Sequence, residues 1–354
     1  MHIHIFHLVL IIFIEVGGEM KKVIVVYLIC IIGMFFLPVF LVKKYDVVQN
    51  EAIDYNTKIK LLITEKNEVI DISLDEYIMG VLVGEMPVSY NLEALKAQAV
   101  VARTYTLNKI KNSKDTKESS HENADMCDDI NHCQAYKTKE YALNCWDDNE
   151  ENEKWNKIKT AVLETKNEVI THNGELINAF FHANSGGNTE DIVNIWGHEN
   201  IPYLKSVEGN EENELLDNVN LTCEQINKIM IEKYPEYIKI EDEQLKSKES
   251  AANSGDLYKN VIKIIEKNSS GRVSKIQISN IILDGTEARS LFGLRSTFFE
   301  IKFTNAEFCF ETKGYGHGIG LSQDGANNMA SKGKTYQEII KHFYTGVEIE
   351  NMKF

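Results

Sequence analysis

Residues 71–110 read DISLDEYIMGVLVGEMPVSYNLEALKAQAVVARTYTLNKI, two helical patterns meeting at a Met-Pro break. Ser73 followed by Glu76 has the spacing of a capping box and opens the first helix. Ile78, Val81, Leu82 and Glu85 then fall at i, i+3, i+4 and i+7, on one helix face. That stripe is apolar until its last member, a carboxylic acid. Gly80 and Gly84 remove side chains beside it, so another group can approach closely. Pro87 disfavours the α conformation at Met86 and ends the helix just past the acid. A Glu on an apolar face resists charging, so its pKa rises, and a general acid needs that property. The plainer alternative for Glu85 is a rim carboxylate near a helix end.

The second helix, Leu92 to Leu107, is mostly Ala, Val and Leu, the composition of a helix buried on nearly all sides. Set into it are Lys96, Gln98 and Arg103. Lys96 and Arg103 are seven residues apart and share a face, while Gln98 points roughly the opposite way. Charges in so apolar a helix need partners or a cleft. Structural salt bridges are the competing explanation.

Outward from this pair, the N-terminal side carries a membrane signal. Val23–Val42 is an uncharged apolar run long enough to span a bilayer. Lysines flank it on both sides, which leaves its orientation open. No small-residue cleavage pattern follows, so the expectation is an uncleaved anchor over 20–42. Residues 1–19 suit no second span. Gly17-Gly18-Glu19 before Met20 can be encoded as a ribosome-binding sequence, so translation is expected to start at Met20. An N-terminal peptide mapping upstream of Met20 would refute that start. Residues 43–70 read as a linker and first strands, with KIKLLIT and VIDIS around a polar EKNE turn.

On the C-terminal side, residues 111–135 form a polar loop holding His121, Cys127, His132 and Cys133. Two Cys and two His suit tetrahedral zinc. The spacing is not that of a standard finger, and adjacent His132 and Cys133 both ligate only if the backbone kinks there. A Cys127–Cys133 disulfide is the alternative for a domain outside the cytoplasm. EVITHNGELINAFFH reads as a β-hairpin turning at Asn173-Gly174 and leading into the polar loop His182–Gly187. Residues of about 209–255 are low in apolar content at both ends and read as a peripheral insertion. GYGHGIG places glycine at 314, 316, 318 and 320, which in an extended strand leaves one face bare for close backbone packing or a sugar chain. The last stretches, SQDGANNMASKG and YQEIIKHFYTG, read as helices with glycine stops. The fold class expected is mixed α+β, with the helix pair and β-hairpins around a cleft. A formal net charge of −15 argues against nucleic acid as a partner.

GEMP and ALKAQAVVARTY, then CDDINHCQAY, INAFFHANSGGNTED, IPYL, FGLRSTFFE and GYGHGIGLSQDGANNMASKG resemble, in order, the stage II sporulation protein D family. The matches cover most of residues 70–345. The family consists of membrane-anchored peptidoglycan lytic transglycosylases used in engulfment during endospore formation. The resemblance makes 71–354 a lytic transglycosylase ectodomain cleaving the β-1,4 bond between N-acetylmuramic acid and N-acetylglucosamine, with 1,6-anhydro ring formation. It makes Glu85 the acid and carries over Lys96, Gln98 and Arg103 as substrate-positioning candidates. His182, Ser185, Tyr203, His317 and Gln323 follow as weaker candidates for the cleft wall. It supports a structural Zn2+ on the His/Cys loop, as in clostridial members. It implies glycan strands stripped of peptides by the amidase, stage II sporulation protein P, and stage II sporulation protein M as membrane partner. The implied location is the mother-cell membrane facing the forespore.

The choice of transglycosylase over hydrolase rests on that resemblance, because a hydrolase needs a second carboxylate and the chain has 53 acidic residues. Two further readings compete. A zinc amidase or peptidase would place its chemistry at His121–Cys133 and be indifferent to Glu85→Gln. A non-catalytic wall-binding activator of an amidase would bind glycan and yield no cleavage product.

Overall fold

The structure is a computed structural model that describes residues 58–352, apart from 117–120, 122, 131, 147–149, 198–199 and 242–260. The expected upstream segment 1–19, the anchor 20–42, most of the 43–70 linker and residues 242–255 of the expected insertion lie outside the described residues. Among the described residues no helix is long and apolar enough to cross a membrane.

A hairpin opens the domain, β1 (Lys58–Ile63) antiparallel to β2 (Glu68–Ser73). Helix α1 (Leu74–Glu85) starts directly from it. Ser73 Oγ accepts from the Glu76 amide at 3.2 Å and the Glu76 carboxylate accepts from the Ser73 amide at 3.3 Å, the reciprocal capping box. Tyr77, Ile78, Val81 and Leu82 are fully buried, each such side chain contributing roughly 1.5–3 kcal/mol. Met86 is extended before Pro87, and the helix stops there.

Helix α2 (Leu92–Thr116) is the axis of the first core. Leu95, Ala97, Ala99, Val100, Val101 and Ala102 are inaccessible to solvent. It packs against α1, α4 (Glu151–Glu164), β4 (Glu168–His172), α8 (Gln323–Ser331) and α9 (Tyr336–Phe343). Short α3 (Lys139–Cys145) precedes α4. Strand β4 turns through Asn173 and Gly174, both at positive φ, into β5 (Glu175–Leu176) and pairs on its other edge with β14 (Glu348–Asn351). Short β6 (Phe181–His182) runs parallel to β13 (Leu321–Ser322), and β3 (Met126–Cys127) parallel to β1.

A second core gathers β7 (Leu216–Thr222), α6 (Cys223–Lys233), the sheet β8 (Ile262–Lys267), β9 (Val273–Ile278) and β10 (Ile281–Asp284), helix α7 (Gly285–Phe292), β11 (Phe299–Thr304) and β12 (Glu307–Lys313). The region expected as a peripheral insertion therefore contributes to it. Strand β7 pairs with β12 along its whole length, and Ile226 and Met230 of α6 are buried with Phe308 and Phe310. Its low-apolarity flanks hid a normal strand–helix unit.

The glycine run 314–320 is not an extended strand. All four glycines have positive φ, from 72° to 110°. A Cβ at Gly316 would lie 2.7 Å from His182 Cβ, and one at Gly318 would lie 2.7 Å from the Arg272 guanidinium. The bare backbone is used for close packing on the 180–186 segment, with Tyr315 bridged to Asn184.

Candidate active site

Between the two cores lies a cleft of about 670 Å³, lined from the first core by Glu85, Tyr105, Phe180, His182 and Gln323 and from the second by Thr286, Arg289 and Thr297. His132 and Cys133 of the metal-loop region, and Trp196 of α5 (Ile192–Trp196), complete it with Tyr315 and His317.

Glu85 is the last residue of α1. Its Oε1 accepts a hydrogen bond from the Ala135 amide at 2.6 Å. Gly84 makes that contact possible: a Cβ there would sit 2.9 Å from the Ala135 carbonyl. Gly80 does the same one turn earlier, against the Tyr136 ring at 2.2 Å, and its carbonyl accepts from the Lys137 amide. Burial pushes the Glu85 carboxyl up to about 7, although the Ala135 N–H and the facing Gln323 side chain both favour the charged form. An acid poised there can both give and take a proton near neutrality.

The 134–137 segment is fixed by both α1 and α2. Gln134 Nε2 donates to Tyr77 Oη at 3.3 Å and to Thr106 Oγ1 at 3.0 Å. Just upstream, the ligand atoms of His121, Cys127, His132 and Cys133 all lie within 4.8 Å of one another. Cys127 Sγ is 3.4 Å from His132 Nδ1, Cys133 Sγ 3.4 Å from His121 Nε2, and Cys133 Sγ 3.9 Å from His132 Nδ1. A zinc tetrahedron with two sulfur and two nitrogen ligands has S–N edges of about 3.6 Å, so the constellation fits. Burial holds both imidazoles below their ordinary pKa, keeping them neutral and able to ligate. Both cysteines are free thiols. The cluster could hold a metal ion, and the chain leaving it is the segment that bonds Glu85.

His182 and His317 stand with ring centroids 5.7 Å apart. Burial lowers both, His182 to about 3, with Arg272 and Arg289 nearby adding to the effect. Burial thus disfavours the charged form of both imidazoles. His182 Nδ1 meets the Ile319 carbonyl at 3.2 Å, and among the described residues its buried Nε2 has no hydrogen-bond partner. His317 Nδ1 accepts from the Ile319 amide at 3.0 Å. Phe180 and Trp196 meet edge to face at 4.9 Å, and Trp196 and His317 lie tilted at 5.2 Å. Trp196 and Tyr315 remain 39 % and 46 % exposed, which leaves ring surface for a sugar face.

The other sequence candidates are not brought to the cleft wall. Lys96 pairs with Glu93 at 2.8 Å and Glu164 at 2.7 Å. Arg103 is buried and donates to the Val162 and Glu168 carbonyls, both at 3.2 Å, tying α4 and β4 to α2. Gln98 is fully buried in the same helix. Ser185 sits behind the wall, its amide donating to Glu211 at 2.6 Å and its carbonyl accepting from Arg272 at 2.5 Å. Tyr203 Oη accepts from the Asn178 amide at 3.1 Å, supporting the strand that leads to Phe180. Lys96, Arg103, Ser185 and Tyr203 are engaged by groups inside the protein, while Gln98 is buried with neither amide atom hydrogen-bonded among the described residues. Sequence reasoning missed Tyr105, Phe180, Trp196 and Arg289 as cleft residues, because an isolated aromatic or arginine on a short element has no spacing to announce it.

The cleft thus joins a lone desolvated acid, an aromatic wall and a Cys/His loop. Residues 63–172 match the family model described as Stage II sporulation protein, and residues 190–320 match a domain of unknown function. A stage II sporulation protein D of Bacillus amyloliquefaciens is 34% identical over 291 residues, covering 81% of this chain and 76% of its own length. That of Bacillus subtilis is 32% identical, with 81% and 77% covered. An amidase enhancer of Bacillus subtilis is 28% identical over 76% of this chain and 40% of its own length. The chain belongs to the stage II sporulation protein D family. Membership supports a role in sporulation.

Proposed function

We propose that this chain is a peptidoglycan lytic transglycosylase acting on peptide-stripped glycan strands during sporulation. The observation that carries the reading is Glu85: among the described residues lining the cleft it is the one carboxyl, and burial raises it to about 7. Protonated Glu85 gives its proton to the glycosidic oxygen as the bond to the muramyl C1 breaks. The carboxylate so formed takes the proton of the muramyl C6 hydroxyl as O6 closes on C1. No water is consumed, and Glu85 ends protonated as it began. One carboxyl suffices because the nucleophile belongs to the substrate, whereas hydrolysis uses a pair at a set separation.

The His121, Cys127, His132 and Cys133 set would hold Zn2+ as a structural ion, since four protein ligands leave no open position for chemistry. It would fix the loop that delivers the Ala135 amide. A membrane anchor over 20–42, with stage II sporulation proteins P and M as partners, completes the proposal by resemblance to the family.

The test is digestion of peptide-free glycan strands by the wild-type chain and Glu85→Gln, with products weighed by mass spectrometry. Anhydromuramyl ends from wild type alone support the reading. Reducing ends, heavier by one water, replace it with a hydrolase. The relative named amidase enhancer favours one second reading, a glycan-binding activator of an amidase. That reading gains if neither chain cleaves while both stimulate an amidase.

A further inference from the structure

We propose that Arg289 is the anion-binding residue of the cleft, holding the free lactyl carboxylate of a muramic acid unit in a peptide-stripped strand. The inference rests on the glycan-cleaving reading and adds how the cleft would tell a stripped strand from one whose lactyl groups are still amide-linked.

Among the described lining residues Arg289 is the one Lys or Arg. His182 and His317 also line the cleft, but burial keeps them below their ordinary pKa, and His132 belongs to the Cys/His metal-binding set. The cleft thus holds a single permanent positive charge. It belongs to a protein of formal net charge −15, whose overall charge disfavours a polyanion.

Arg289 is also held and left unspent. Its Nε donates to the Arg295 carbonyl at 3.2 Å, which fixes the side chain. Among the described residues no carboxylate lies within ion-pair distance of it. The other arginines do not line the cleft: Arg103 is buried against two carbonyls, Arg272 is buried against the Ser185 carbonyl, and Arg295 pairs with Asp217 at 3.2 Å. Thr286 lines the cleft three residues earlier on α7, so its hydroxyl and the guanidinium share one helix face toward the ligand. The cation stands on the second core and the acid on α1, so a sugar between them would present its leaving oxygen to one and its lactyl group to the other. A carboxylate entering this low-dielectric space without a partner would be costly and would oppose the ionisation Glu85 undergoes in the first step.

Binding separates this claim from catalysis. The full chain carrying Glu85→Gln is titrated with a peptide-free strand and with the same strand methyl-esterified at its lactyl groups. The free acid should bind about 10- to 100-fold more tightly, as expected for a hydrogen bond to a charged partner. Arg289→Gln added to Glu85→Gln should abolish that ratio, and Arg289→Lys should restore part of it. Equal binding of acid and ester by Glu85→Gln overturns the proposal without needing any Arg289 variant. Equal weakening of both forms by Arg289→Gln also overturns it. The transglycosylase reading is judged apart, by the products of the wild-type chain, and can fail while the acid-to-ester ratio stands.

Discussion

Helices α1 and α2 each bury charged groups among apolar neighbours, and they treat them oppositely. Arg103 and Lys96 on α2 are met by carbonyls or carboxylates placed for them. Glu85 on α1 has the Ala135 N–H and the facing Gln323 side chain but no cation, so desolvation outweighs them and the carboxyl is raised to about 7. Burial of a charge is therefore no sign of function by itself. The distinguishing feature is whether the fold completes the partner set or leaves part of it to a ligand.

The comparison breaks most visibly at Glu85. Glu85→Gln keeps the shape and should cut product formation by about 10²–10⁴-fold, the usual contribution of a general acid, without lowering the melting temperature. A variant that unfolds instead would make Glu85 structural. The reverse pattern is expected at Arg103→Met: two buried carbonyls lose their donor, and urea unfolding should show a loss of about 3 kcal/mol, with the folded fraction still binding glycan. Normal stability with lost binding would erase the distinction drawn between the two helices.

Metal removal sharpens the same contrast through the loop that bonds Glu85. A metal present at 100 times its dissociation constant stabilises by about 2.7 kcal/mol, so chelation should lower thermal stability by that order and speed hydrogen exchange at Ala135. Unchanged exchange there would uncouple the Cys/His cluster from the acid. The smallest effect belongs to Lys96→Met, whose partners are partly exposed; about 1 kcal/mol or less is expected in chemical unfolding, without change in product mass.

The sequence made the capping box, the helix stop at Met86, the Asn173-Gly174 turn and the acid on an apolar stripe readable, because each is set by neighbours within a few residues. It also brought four metal-ligand types together in one loop. It could not tell Arg103 from a ligand-binding arginine, since the carbonyls that satisfy it come from residues 162 and 168. Nor could it place Arg289 and Glu85 on the walls of one cleft, since they come from different cores. The 314–320 glycines were noticed for the right property, a missing Cβ, but the alternation suggested a strand where the chain instead uses positive φ to lie against His182 and Arg272. Local rules were legible, and partners distant in sequence were not.

The most direct test of the account is a carbon-13 NMR titration of the glutamate side-chain carboxyls, wild type against Glu85→Gln. The resonance lost in the variant should titrate near 7, against about 4.5 for an ordinary glutamate. The sign for stability follows from the raised value: Glu85 costs the fold nothing below the unfolded pKa, and the cost grows as pH rises through the folded one. Glu85→Gln should therefore gain stability over wild type at pH above about 7 and not near pH 4. Cleavage should fall over that same rise in pH, as the acid loses its proton. A Glu85 midpoint near 4.5 would contradict the central claim, because the carboxyl would then already be spent as an acid at neutral pH.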